Sequence, residues 1–375
     1  MAAMEKNNNN LNVPNLRFPE FDGEWETHRL GELVEIKSGV SPTGIIDENG
    51  LFPFYKVEQL NNCYVELNET PYLTMQSSVP VHGIIFPKRG AAIMTNKIRI
   101  ASKPCQLDTN LMALIIENNE KVDYKFLFYF IARYNLSKIA DTSTIPQINN
   151  IHINPLKITL PSFKEQQKIS ALLTVLDLKI DTQRKIIEKY ESLIRGLYHS
   201  VFNQPASTLQ LKDVVSVVKG QQVNGEELLE YGKYYVMNGG TEPSGYLDVC
   251  NTPANTISIS EGGNSCGYVQ YNTEPFWSGG HCYSLIQKEQ SVNYQYLYHF
   301  LKYKERNIMA LRIGSGLPNV QKKDLERFEI RVLPTKQQNR VAEILEDVSA
   351  KCDLEKRILQ GWQCQKSYLL HNLFI

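Results

Sequence analysis

Between residues 160 and 202 the apolar positions fall on a seven-residue period. One series runs Leu173, Ile180, Ile187, Ile194 and Val201, and a second runs Ile169, Leu176, Gln183, Tyr190 and Leu197. An a/d alternation kept over about five heptads predicts a coiled-coil helix rather than a surface helix. Pro161 and Ser162 mark its start, and neither Pro nor Gly interrupts it before Gly196. The frame returns at residues 333–374, with Leu345, Cys352, Leu359, Lys366 and Leu373 in one series and Val341, Val348, Glu355, Trp362 and Leu369 in the other. Two long helices with matching seams should pair with each other. A large stretch of chain must be crossed between them, so the pairing is expected to be antiparallel.

The repeat reaches beyond the helices. Leu30-Gly31-Glu32-Leu33-Val34-Glu35-Ile36-Lys37-Ser38-Gly39 matches Leu211-Lys212-Asp213-Val214-Val215-Ser216-Val217-Val218-Lys219-Gly220. Each copy ends on a glycine, expected to take positive φ as the chain turns into a loop. Strand-rich stretches follow at 51–117 and 233–287, dense in Val, Ile, Tyr and Phe. Val122-Asp123-Tyr124 and Val292-Asn293-Tyr294 then open matching helices of about fifteen residues, with Phe126, Phe130, Tyr296 and Phe300 expected in the core. Polar loops come next, Thr142-Ser143-Thr144-Ile145-Pro146-Gln147 and Gly314-Ser315-Gly316-Leu317-Pro318-Asn319, each leading through a short strand to a long helix.

At 375 residues and 42% hydrophobic content the chain is large enough for two or more cored domains. Residues 1–14, with the run Asn7 to Asn10, read as a disordered tail. No apolar run has membrane-spanning length, so a cytoplasmic protein without a membrane partner is expected. Seven scattered cysteines without Cys-x-x-Cys argue for reduced thiols and against a metal site. The net charge is zero, and neither half is basic: residues 12–160 hold 14 Lys/Arg against 16 Asp/Glu, and 203–333 hold 12 against 13. A nucleic-acid partner would therefore require local arrangement of charge, or a second protein supplying much of the phosphate grip.

Catalytic signatures are missing. Asn154-Pro155-Leu156-Lys157 lacks the second Pro and the aromatic of an adenine methyltransferase motif, and no phosphate loop is present. Gly314-Ser315-Gly316 has no dinucleotide-binding context, and the adjacent His281 and Cys282 point to opposite faces of a strand. What the sequence offers instead is base-reading chemistry on loops. Arg or Lys suits guanine, and Asn or Gln suits adenine. The first half supplies Tyr55, Lys56, Lys88, Arg89, Lys97, Thr144 and Gln147. The second supplies Gln221, Gln222, Asn238, Asn264, Ser265, Arg312, Ser315, Asn319 and Lys322.

The order of parts, the helix start Leu-Pro-x-x-x-Glu-Gln-Gln at 160–167 and the loop Gly-Ser-Gly-Leu-Pro-Asn at 314–319 resemble the specificity subunit of type I restriction-modification systems. So do Asn238-Gly239-Gly240-Thr241-Glu242-Pro243-Ser244-Gly245-Tyr246 and Ser260-Glu261-Gly262-Gly263-Asn264-Ser265-Cys266-Gly267. The resemblance covers nearly everything from Leu16 onwards. It implies an α+β protein with approximate internal two-fold symmetry: target-recognition domains at 15–160 and 204–333, and long spacer helices at 161–203 and 334–375 forming an antiparallel coiled coil. It further implies a non-catalytic subunit that reads a split double-stranded DNA sequence and docks two methyltransferase subunits, with restriction/translocase subunits joining. S-adenosylmethionine, ATP and Mg would sit on those partners, with no cofactor on this chain. The neutral charge leaves a second reading open, a duplicated scaffold that binds only protein.

Overall fold

The computed structural model describes residues 12–375 except Asn62, Glu289, Ser315 and Leu317. The chain divides into two compact units: residues up to Lys185 together with Arg357–Ile375, and Ile186–Lys356. The divisions fall inside the long helices, not at their ends. Most of the expected N-terminal tail, residues 1–11, lies outside the described residues. Asn12 is held, its side chain donating to the Trp25 carbonyl at 2.6 Å while its own carbonyl accepts from Trp25 N at 2.9 Å.

In the first unit, β1 (Glu26–Arg29), β2 (Val34–Ser38), β3 (Phe52–Tyr55), β4 (Leu73–Thr74), β5 (Ile84–Pro87), β6 (Arg99–Ile100), β7 (Gln106–Leu107) and β8 (Leu111–Ile116) precede α1 (Tyr124–Tyr134) and the short α2 (Asn150–Ile153). After β9 (Lys157–Leu160) comes the long helix α3 (Phe163–Phe202). The main sheet is antiparallel, β2-β8-β5-β6, and Leu111 to Leu114 of its inner strand are shut from solvent. A smaller sheet, β4-β3-β7, pairs Phe54 with Gln106 in parallel, and β1 pairs with β9 directly before the long helix. Helix α1 starts where Asp123 accepts from Phe126 N at 2.8 Å, and it buries Phe126, Tyr129 and Phe130. It runs 11 residues, shorter than expected, because Asn135 turns to φ 62.

The second unit repeats this topology. Its parts are β10 (Ser207–Gln210), α4 (Leu211–Val214), β11 (Val215–Lys219), β12 (Tyr234–Met237), β13 (Tyr246–Leu247), β14 (Thr256–Ser260), β15 (Val269–Asn272), β16 (Trp277–Ser278) and β17 (Cys282–Gln287). Helices α5 (Tyr294–Tyr303), α6 (Glu305–Met309) and α7 (Lys322–Glu326) precede β18 (Glu329–Val332) and the long α8 (Thr335–Asn372). The sheets are β11-β17-β14-β15, β13-β12-β16 and β10-β18, and Asn293 caps α5 as Asp123 caps α1. Helix α5 has 10 residues; the chain breaks at Lys304 before α6 takes over.

Both long helices begin on one device. The Gln166 carboxamide, 1% exposed, accepts from Asp123 N at 3.0 Å and donates to the carbonyls of Lys121 and Pro161, both at 3.0 Å. In the repeat Gln338 accepts from Asn293 N at 2.8 Å and donates to Leu333 O at 2.7 Å and Ser291 O at 3.4 Å. The amide thus ties the strand leading into each long helix to the loop capping the short one. This is why the helix start carries a glutamine.

The seam is filled as its period requires. Leu173 and Ile180 are fully buried, Ile187, Leu345, Cys352 and Leu373 nearly so, and Ile194, Val201 and Leu359 half-buried. Within each unit the helices run antiparallel. Asp177 meets Lys366 and Lys179 meets Trp362 in the first, and Glu191 meets Lys356 in the second. Lys366 can occupy a seam position because its ammonium pairs with buried Asp177 at 2.5 Å and lies over the rings of Tyr64 and Tyr129. The Tyr129 hydroxyl also donates to Asp177, at 2.7 Å. Gly361 stays helical with nothing packed near it.

Two outcomes are expected. Gln338→Ala strands the Asn293 N–H and should destabilise the second unit by about 2 kcal/mol, read as a lower urea midpoint at unchanged slope. His299 is 2% exposed beside the Tyr198 hydroxyl, and burial lowers its pKa to about 4. Because only the unfolded chain takes up this proton between pH 6.5 and about 4, stability should fall across that window by about 3 kcal/mol and level off below it. Urea unfolding of His299→Gln should lack this acid limb.

Candidate nucleic-acid interface

At the end of β2 and of β11 the main chain crosses another segment at close range. Gly39 N donates to Leu111 O at 3.1 Å, and Gly220 N to Cys282 O at 2.9 Å. A Cβ on Gly39 would lie 1.9 Å from Asp108 O, and one on Gly220 would lie 2.2 Å from Gly279 O. Neither glycine has the positive φ expected from the sequence. Backbone approach, with no room for a side chain, is the reason both copies keep glycine.

Beside this crossing each unit builds the same small ladder from its polar loop. In the first, Gly90 N donates to Pro146 O at 2.8 Å, Ile148 N to Lys88 O at 2.8 Å, and Asp141 and Gln147 exchange both bonds at 2.9 Å. In the second, Gly263 N donates to Pro318 O at 3.0 Å and Val320 N to Glu261 O at 2.8 Å, while Ile313 and Asn319 exchange theirs at 2.8 and 3.0 Å. Lys88, Arg89 and Gln147 therefore correspond to Glu261, Gly262 and Asn319. The backbone is shared and the side chains are not.

The electrostatics differ accordingly. Arg89 is exposed and Lys88 half-buried; burial and then the Arg89 charge lower the Lys88 pKa. Glu261 is 8% exposed and takes 2.8 and 2.9 Å hydrogen bonds from Lys219 Nζ and the Tyr283 hydroxyl. Its other oxygen lies 3.8 Å from His281 Nδ1. Burial, then the Glu261 contact, raises the Tyr283 pKa.

A family model described as "Type I restriction modification DNA specificity domain" matches residues 22–192 and 204–361, one copy on each half of the chain. The chain belongs to this family. The specificity subunit of the type I restriction enzyme MjaVIII from Methanocaldococcus jannaschii is 21% identical over 424 residues, covering 98% of this chain and 95% of that one. The crystal structure of a type I restriction-modification S subunit from M. genitalium aligns with TM-score 0.76 at 20% identity, over 97% of this chain and 99% of that chain. A chain from a study of complex assembly and conformational transition of the type I R-M system aligns at TM-score 0.51 and 16% identity, over 93% and 97%. Among the described residues no helix is long and apolar enough to cross a membrane.

Within this specificity-family fold the residues expected to read bases separate into three sets. Arg89 and Gln147 come together on the first ladder, with Thr144 exposed on the same loop and Lys88 beneath. In the second unit Asn319 lies on the ladder and Arg312 beside it, and Asn264 and Ser265 turn just after Gly263. The Asn238 side-chain Oδ1 accepts from His281 N at 3.1 Å, and the Gln222 side chain packs on Gly280, so both border the crossing. Gln221 is exposed, its carbonyl accepting from Trp277 Nε1 at 3.0 Å.

The third set is engaged elsewhere. Tyr55 is a correction: it is 2% exposed in the core, its hydroxyl donating to Asn68 O at 2.9 Å, and it cannot meet DNA there. Lys56 lies 3.6 Å over the Tyr72 ring, Lys97 donates to Asn61, and Lys322 pairs with Glu326 along its own helix. Ser315 lies outside the described residues. Lys219, Glu261 and His281 were missed as a group. The repeat held the one available signal, since Glu261 answers to Lys88.

The crossing is testable. Gly220→Ala forces a Cβ into backbone and should cost about 1–3 kcal/mol in chemical denaturation, whereas Gly263→Ala meets no atom and should suffer only the strain of its positive φ, a smaller loss.

Proposed function

We propose that this chain is the DNA-reading subunit of a type I restriction-modification complex, each module taking one half of a split duplex sequence. The observation that carries the reading is the duplicated ladder: one backbone frame presented twice with different polar side chains at corresponding positions. Recognition chemistry sits on loops held by a rigid scaffold, and two half-sites of different sequence call for different side chains. The long helices would dock two methyltransferase subunits, and restriction/translocase subunits would join through them. S-adenosylmethionine, ATP and Mg would be held by those partners, and the complex would work in the cytoplasm. With no net charge, the chain depends on local cations and on its partners for phosphate contacts.

A randomised duplex library tests this. Full-length chain with its methyltransferase subunits should enrich a split consensus, and the chain alone should bind more weakly and with a shallower loss in salt, because it makes fewer phosphate contacts. Enrichment of no sequence by the assembled complex would favour the protein-binding scaffold instead.

A further inference from the structure

Arg89 and Gln147 are opposed across the first ladder in the non-hydrogen-bonded register, since the flanking bonds run from Gly90 to Pro146 and from Ile148 to Lys88. In that register opposed side chains leave the ladder on the same face, with Cα atoms about 4.5 Å apart. A base step is about 3.4 Å, so such a pair can address neighbouring bases. Arg89 is exposed, and among the described residues its guanidinium has no hydrogen bond or ion pair. Its neighbour Lys88 is half-buried, and burial and then the Arg89 charge lower its pKa. Gly262 takes the corresponding place in the second unit. A Cβ there would meet Pro318 O at 3.7 Å and His281 Nδ1 at 3.9 Å, ordinary contact distances. Room for a side chain exists, but none is present.

We infer that Arg89 reads a guanine in the half-site of the first module, through its planar fork to O6 and N7, with the Gln147 amide on the neighbouring base, and that the second module has no equivalent guanine contact. The inference rests on the DNA-reading function proposed above. A fork matches the two acceptors of guanine in a way that a point charge does not. The amide of Gln147 has the donor–acceptor pair that suits adenine.

The test is selection from the same random duplex library by the full complex carrying wild-type chain, Arg89→Ala or Arg89→Lys. The wild type should show an invariant guanine in one half. Arg89→Ala should relax that single position, lowering guanine discrimination roughly 10- to 100-fold, and leave the other half unchanged. Arg89→Lys should keep overall affinity while losing most of the discrimination. Uniform weakening on every sequence would mean a phosphate contact and overturn the inference. So would an unchanged consensus in Arg89→Ala, or relaxation in both halves. A wild-type complex that enriches nothing would defeat the DNA-reading function itself, and this inference with it.

Discussion

The buried carboxamide at the start of each long helix is the constraint on which the rest depends. Gln166 and Gln338 each satisfy one main-chain donor and two carbonyls in a buried place, joining the root of the long helix to a loop more than forty residues earlier. An unpaired buried polar group costs more than a hydrogen bond yields, so the geometry around each amide admits little drift. Helix α1 or α5 is thereby held against the root of α3 or α8, and the main sheet packs on that short helix. In the first unit a bidentate pair from Arg17 to Glu165 reinforces the same turn, at 2.9 and 2.8 Å. The second unit has Gln337 there and relies on the clamp.

On this common frame the two units differ where the frame faces outward. The strand end carrying Lys88 and Arg89 in one unit carries Glu261 and Gly262 in the other, under the same hydrogen bonds. Glu261 is stabilised by Lys219 and Tyr283, so its charge is spent inside the unit. The zero net charge of the chain thus conceals two unlike local fields.

Much of the fold was legible from the sequence, because a seven-residue period and a tandem repeat are properties of spacing alone. The antiparallel pairing and the duplication both followed. The sequence gives no account of a lysine at seam position 366, because its partners, Asp177 and Tyr129, come from other helices. Tyr55 misled for a related reason. Phe54 and Tyr55 are consecutive and both buried in a strand covered on two sides, so the alternation that marks an exposed face is missing. Glycines 39 and 220 stood out in the repeat, but as positive-φ turns, because the segments that cross them lie about sixty to seventy residues away and leave no local trace. Candidate loop residues were legible where they shared a loop with the repeat, whereas the cluster of Lys219, Glu261 and Tyr283 was not, because three strands had to meet.

The core of the first unit is not made only of early residues. Leu373 and Phe374 are buried in it, with the Phe374 ring 4.9 Å from that of Phe126, and Leu16 N donates to Asn372 O at 2.9 Å. All of Ile186–Lys356 is synthesised between those partners. At about 5–20 residues per second, Phe126 waits on the order of ten to fifty seconds for Phe374. During that time α1 shows an open aromatic pocket, while the second unit acquires every residue of its own core. The module that begins first is completed last, and a shortened transcript would leave the later module whole and the earlier one unsealed.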